Sequence, residues 1–302
     1  MLNSPLDRRG FLKSVAASFA IAGVPALASA RQTKPADAMP FKISCTEYSF
    51  HRALAAGELA HVDYAPFIRK NYGLDAVEYW SGPMADTVED EAVLKETRQK
   101  ADDAGVKGLV ILVDREGNLG DPDDAKRAQA AKNHVKWLEA ATKLGCHSIR
   151  VNAHSEGSFE EQQKLAADGL RQLCEIAEPY GHNVIVENHG GYSSNGKWLA
   201  GVMEMVGMDN CGTFPDFGNF YDYDRYEGTK DLMPWAKAVS AKSRAFDDAG
   251  NEETIDYVKM MKIVVDAGYD GYVGIEYEGR GLDEAEGVKR TLALLERVRG
   301  EM

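Results

Sequence analysis

Short β-rich runs alternate with longer amphipathic stretches, without a break, from residue 41 to the end of the chain. The runs fall at 41–49, 74–80, 106–113, 148–154, 183–189, 212–217, 238–246 and 271–277. Each has the brevity and apolar character of a parallel strand buried on both faces. Helical patterns occupy the intervals, for example 91–104, 124–144, 160–180, 254–267 and 283–298. Several end on a glycine that feeds the next strand, at Gly73, Gly105, Gly145, Gly181 and Gly268. Glycine is the residue that most readily closes a helix. Eight strands, each with a following helix, predict an α/β fold: a single (β/α)8 barrel over residues 41–302. A doubly wound open sheet is the alternative, and the absence of a Gly-rich phosphate loop after the first strand argues against it.

Residues 1–30 stand outside that pattern. A basic head (Arg8, Arg9, Lys13) precedes an apolar stretch from Val15 to Leu27 and a small-residue end, Ala28-Ser29-Ala30. That order is the one a cleavable signal peptide has. The paired arginines followed by Phe11-Leu12-Lys13 resemble the twin-arginine type, with Asp7 where Ser or Thr is usual. The apolar run is too short to span a bilayer. A polar lead-in, 31–40, connects it to the barrel. The mature chain is therefore expected to be periplasmic and free of membrane spans. Twin-arginine export resembles a route for proteins that fold, often around a cofactor, before crossing.

The chain carries 35 Lys+Arg against 48 Asp+Glu, a net charge of −13, and loss of the basic leader makes the remainder more acidic still. Such a surface repels phosphate backbones and anionic lipid, so a nucleic-acid partner is not expected. The cysteines, Cys45, Cys146, Cys174 and Cys211, contain no CxxC pair. An oxidising compartment permits a bridge, but each lies in or beside an apolar segment, which favours buried thiols.

In a barrel of this kind the chemistry sits at the carboxyl ends of the strands. Those ends deliver Glu47-Tyr48-Ser49-Phe50-His51, Glu78-Tyr79-Trp80, Asn152-Ala153-His154, Glu187-Asn188-His189, Asp216-Phe217-Gly218-Asn219, Ser240 to Arg244, and Glu276-Tyr277-Glu278. Alternation sorts them. Ile149, Val151 and Ala153 suit the helix side of their strand, which turns Arg150, Asn152 and His154 inward. By the same parity Ser240, Lys242 and Arg244 share a face, and Glu276 points inward between Ile275 and Tyr277. Glu187, Asp216 and Glu276 then converge. Three carboxylates in a low-dielectric mouth repel one another and need a shared proton, a lysine or a metal cation. A divalent ion serves as the last, with Mn²⁺ or Mg²⁺ suited to oxygen ligands and Co²⁺ or Zn²⁺ as softer options. Pairing with Arg150 and Lys242, or use as helix caps, is the other solution. Glu78 is assigned as a partner of Arg150. Tyr48, Trp80, Tyr221 and Tyr223 are candidates for stacking on a sugar face, and otherwise lids on the core.

Four segments carry a family resemblance: Val186-Glu187-Asn188-His189-Gly190-Gly191, Pro215-Asp216-Phe217-Gly218-Asn219, Val239-Ser240-Ala241-Lys242 and Gly274-Ile275-Glu276-Tyr277-Glu278-Gly279. Together they resemble the xylose-isomerase-like barrel superfamily, in particular its sugar phosphate isomerases/epimerases, from Ile43 to about Leu295. The resemblance implies one divalent metal held by Glu187, Asp216 and Glu276, with Glu187 and Glu276 as the acid/base pair. The family's fourth ligand, a histidine, falls on Ser240, and a second family histidine falls on Asn219. Both are departures. His154, His189, Lys242, Asn219, Ser240 and Arg244 are the candidate substrate contacts, with Lys242 also able to neutralise the acids or polarise a carbonyl.

The implied function is a metal-assisted carbohydrate enzyme that abstracts a proton next to a ketone, as in a keto-sugar isomerase or epimerase. β-Elimination on a 3-keto-glycoside uses the same enediolate and suits an exported enzyme, since free sugar phosphates are scarce outside the cytoplasm. A non-catalytic sugar-binding barrel is the alternative that Ser240 and Asn219 raise. An abasic-site nuclease shares the barrel, but its multi-zinc site is histidine-rich, and this chain has seven histidines and a strongly acidic surface.

Overall fold

The computed structural model describes residues 39–302, so the signal-peptide reading of residues 1–30 and nearly all of the lead-in lie outside the described residues. The strands are β1 (Lys42–Thr46), β2 (Ala76–Trp80), β3 (Lys107–Leu112), β4 (Ser148–Val151), β5 (Asn183–Glu187), β6 (Cys211–Phe214), β7 (Val239–Ser243) and β8 (Tyr272–Tyr277). They form one parallel sheet in the order β6-β5-β4-β3-β2-β1-β8-β7. The sheet curls until β6 meets β7, where isolated bridges join Thr213 to Ala236 and Asp216 to Ser240 in place of a ladder. Pro215 accounts for the sparse pairing. It has no N–H to give and acts only as acceptor, from the Ser240 N–H at 2.9 Å. The architecture fits the (β/α)8 barrel expected from the sequence.

All eight expected strands are present, most of them shorter at the carboxyl end. After β1, for example, Glu47–Phe50 winds as a 3-10 turn. The polar strand ends therefore sit largely on the first loop residues, where side chains can turn over the mouth. The expected helix over 124–144 is two helices, Asp124–Asn133 and Val135–Leu144. His134 separates them. Its Nδ1 lies 2.8 Å from the carbonyl of Ala130, the acceptor its own N–H would use, and that N–H turns to Ala131 instead.

The barrel interior changes character along its axis. Ala76, Val110, Leu112, Ile185, Phe214 and Ala238 pack as one apolar cluster. One or two inward positions further along their strands come Glu78, Glu187, Asp216 and Lys242, and β4 and β8 add Arg150 and Glu276 at the same end, all buried. The larger core lies between sheet and helices. The helix Phe159–Ala177 shows how it forms: Ala166, Leu170, Leu173 and Ala177 recur at helical spacing and are all buried. Each buried leucine contributes roughly 1.5–3 kcal/mol. Asp90, Asp123, Asp224, Asp256 and Asp283 cap helices by accepting first-turn N–H groups. Among the described helices, none is capped by Glu187, Asp216 or Glu276. The four cysteines are free and buried, as expected. No helix among the described residues is long and apolar enough to cross a membrane.

Candidate active site

Three strands bring the acids together. Glu187 ends β5, Asp216 lies just beyond β6, and Glu276 sits near the end of β8. A ligand oxygen from each lies within 4.8 Å of the others, and all three residues are buried. The Asn188 side chain fixes the second of them. Its Nδ2 donates to the Asp216 carbonyl at 2.9 Å, and its Oδ1 accepts from the Asp216 N–H at 2.7 Å.

Two cations are packed into the same centre. Arg150 lies between two acids, Nε 2.8 Å from Glu187 Oε2 and Nη1 2.9 Å from Asp114 Oδ1. The Lys242 Nζ is 3.2 Å from Glu276 Oε1, 3.2 Å from Glu278 Oε1 and 3.6 Å from Asp216 Oδ2. Asn219 donates from Nδ2 to Glu187 Oε1 at 2.9 Å. The Ser240 hydroxyl stands 2.6 Å from Asp216 Oδ2 and 2.7 Å from Glu276 Oε2. A hydroxyl has one proton to give, so the two acids share it or one of them carries its own. Convergence of the acids and their pairing with Arg150 and Lys242, which the sequence left as alternatives, are both realised.

A divalent metal ion fits this centre by donor type and by charge. The cluster of Glu187, Asp216 and Glu276 could hold one, and its hard oxygen donors suit such an ion. With all acids ionised, Asp114, Glu187, Asp216, Glu276 and Glu278 face only Arg150, Lys242 and Arg244, which leaves two negative charges uncompensated.

Burial raises Glu187 to about 7, against the opposing pull of Arg150. Burial likewise raises Asp216 to about 7, against Lys242. Glu276 goes the other way: burial works against its charge, but Lys242, Ser240 and Arg150 together hold its carboxyl below the ordinary value. Burial also opposes the charge on Lys242, and Asp216, Glu276, Glu187 and Glu278 outweigh it. At Asp114, Arg150 and the Trp80 indole N–H overcome burial and keep the carboxyl ionised.

A cavity of about 630 Å³ opens beside the centre, walled by Tyr48, Trp80 and Trp137 and floored by Arg150, Glu276 and Glu278. Of the three clustered acids only Glu276 borders it. Glu187, Asp216, Ser240, Lys242 and Asn219 lie beneath, each at most 2% exposed. Arg244 reaches Glu278 at 3.4 Å from the side. His189 borders this cavity and a neighbouring one of about 390 Å³, which His154 also lines. Tyr221 and Tyr223 line a separate cavity of about 860 Å³ over the loops after β5 and β6. Glu78 is not the partner of Arg150: it lies deeper and accepts from Ser44 Oγ at 2.8 Å.

Two site residues were missed from the sequence. Asp114 follows the third apolar run directly and gathers Arg150, Asn152 at 3.1 Å and the Trp80 Nε1 at 2.9 Å. Its position after Val113 was the available signal. Glu278 follows Glu276 by two residues at the end of β8, a spacing that keeps it on the same face, and it meets Lys242.

Residues 68–298 match the sequence profile of the xylose isomerase-like TIM barrel family. A stretch of 59 residues is 34% identical to the α subunit of a 3'-dehydrocarminate deglycosidase from a Microbacterium species, covering 20% of this chain and 17% of that protein. Among solved structures, an IOLI protein with a bound zinc atom superposes with a TM-score of 0.70 at 16% identity, over 86% of this chain and 99% of that one. The 3-keto-D-glucoside 4-epimerase of E. coli, in its apo form, superposes with a TM-score of 0.67 at 17% identity, over 85% and 99%. At such identities the structural likeness speaks for the fold alone. The profile match, which runs along most of the chain, makes the protein a member of the xylose isomerase-like TIM barrel family.

Proposed function

We propose that this chain is a sugar-modifying enzyme that removes a proton from the carbon beside a ketone of a carbohydrate. The observation that carries the reading is the position of Glu276, gathered with two other acids and the one of the three that borders the cavity. Glu276 accepts the proton, because it borders the cavity and its neighbours favour its ionised form. Glu187, raised to about 7 but lying beneath the cavity, is matched to giving a proton back by way of an intervening water. A divalent ion held by Glu187, Asp216 and Glu276 would supply the positive charge that steadies the enediolate oxygens, and oxygen donors favour Mn²⁺. Tyr48 and Trp80, edge to face with centroids 4.9 Å apart, form a wall for the sugar ring or an attached apolar group.

Return of the proton gives isomerisation or epimerisation. Loss of a leaving group gives β-elimination from a 3-keto-glycoside. The stretch shared with a deglycosidase subunit and the aromatic wall of the cavity favour giving the second outcome equal place. We further propose that residues 1–30 direct export to the periplasm and that residues 41–302 form the catalytic domain, which cell fractionation and N-terminal sequencing of the native protein test.

The test of the chemistry is incubation in D₂O with keto sugars and 3-keto-glycosides, with and without a chelator, read by NMR. Deuterium at the carbon next to the ketone is the expected result, with aglycone release marking the lyase. A complete lack of exchange across both substrate classes, with metal supplied, would return the protein to the sugar-binding reading.

A further inference from the structure

Lys242 is the most deeply enclosed cation of the centre. It is 1% exposed and does not border the cavity, so it cannot touch a substrate held there. Its stem has been given room: a Cβ on Gly218 would lie 2.9 Å from Lys242 Cδ. Its Nζ is placed among three acids, Asp216, Glu276 and Glu278, at 3.2–3.6 Å. Two of those are members of the cluster that could hold a metal ion. The third, Glu278, borders the cavity.

We propose that Lys242 is a resident cation of the acidic centre: it keeps the carboxylates gathered when no metal ion is bound, and it weakens their hold on one that is. The inference rests on the reading of Glu187, Asp216 and Glu276 as the metal-holding residues. The physical argument is the shared ligand set. Buried carboxylates without a partner are strongly destabilising, and here the partner is covalently part of the chain. A divalent ion on Asp216 and Glu276 shares both with the ammonium, and two cations on the same acids repel across a low-dielectric interior. Ser240 adds to the effect, because its hydroxyl also meets Asp216 Oδ2, which faces Lys242, and takes up the other oxygen of Glu276. The consequence is a centre that stays assembled in metal-free protein and exchanges its ion readily. Lys242 is thus a positioning residue, acting through Glu276 and Glu278.

The test uses the full chain stripped with EDTA and titrated with MnCl₂ by calorimetry, so turnover plays no part. Lys242→Met is expected to bind Mn²⁺ at least about tenfold more tightly than the unaltered protein, and Lys242→Arg, which keeps the charge, to stay close to it. In melting experiments the unaltered protein should change little between EDTA and excess Mn²⁺. Lys242→Met should melt lower in EDTA and recover with Mn²⁺. Equal or weaker Mn²⁺ binding by Lys242→Met overturns the proposal. So does an unaltered protein that unfolds when its metal is removed, a result that stands even if Lys242→Met fails to fold. Neither outcome depends on whether deuterium exchange is found, so failure of the chemistry and failure of this inference are separately visible.

Discussion

The mouth of the barrel has two arcs that treat polar groups in opposite ways. On the β5–β8 arc, Glu187, Asp216, Asn219, Ser240, Lys242 and Glu276 are each at most 2% exposed and bond chiefly to one another. On the β1–β3 arc, Tyr48, Trp80 and Asp114 line open space. One arc holds charge in a fixed arrangement, and the other leaves volume for a ligand. Preorganised charge in a dry site costs little reorganisation when new charge develops, whereas an aromatic wall recognises shape. The comparison teaches that polar residues at strand ends do not all face substrate: on this protein most of them hold other polar residues.

Glu276 belongs to both arcs, so changing it should have the largest effect. Glu276→Gln keeps the shape but cannot accept a proton. Once an exchanging substrate is found, its kcat is expected to fall about 10²–10⁴-fold, with the melting temperature largely kept. A variant that still exchanges deuterium at nearly the full rate would move the base elsewhere, with Glu278 the next candidate.

The next effect is on stability and falls on Arg150, which ties Glu187 of the charged arc to Asp114 of the open one. Arg150→Met strands Glu187 and Asp114, which are 2.8 and 2.9 Å from its guanidinium. Removing one partner of a buried ion pair costs about 3–5 kcal/mol, and urea unfolding should show it. Adding Glu187→Gln to Arg150→Met should recover part of the loss. If the double variant is no more stable than the single one, the pair is not what holds this arc.

Much of the charged arc was legible in the sequence because parity is a local rule. Ile149 and Val151 facing the helices was enough to turn Arg150 inward, and the same count placed Ser240, Lys242 and Glu276. The barrel itself followed from eight repeats of one unit. The partners were not legible, because they depend on register between strands. Lys242 pairs in register with Glu276, which sets Glu278 within its reach. Thr46 pairs with Glu78, which brings Ser44, one inward position earlier, to that acid instead of Arg150. Helix interruption at His134 was hidden for a different reason: a side chain took a backbone acceptor, and no periodicity records that.

The open arc should answer to changes in KM. Tyr48 stacks on His51 with centroids 4.8 Å apart and meets Trp80 edge-on. Tyr48→Ala is expected to raise KM roughly two- to tenfold, with kcat and the urea midpoint near those of the unaltered protein. A fall in stability as large as that of Arg150→Met would erase the distinction between the arcs.

The last effect lies under both arcs and is read as a slope against pH. Glu78 is buried in the barrel interior with Oε2 lacking a hydrogen-bond partner among the described residues, and burial raises its carboxyl from 4.5 to about 8. A carboxyl raised on folding binds its proton more tightly in the native state. Its contribution to stability is therefore complete below about 4.5 and is lost as pH rises to about 8. Within that window one such group changes stability by at most about 1.4 kcal/mol per pH unit. Glu78→Gln, which mimics the protonated acid, should match the unaltered protein at the acidic end and exceed it progressively towards the alkaline end. Both proteins are compared in EDTA, so that any contribution from Glu187 and Asp216 cancels in the difference. Parallel pH profiles would mean that Glu78 is already ionised in the fold, and that the barrel interior is better solvated than its burial implies.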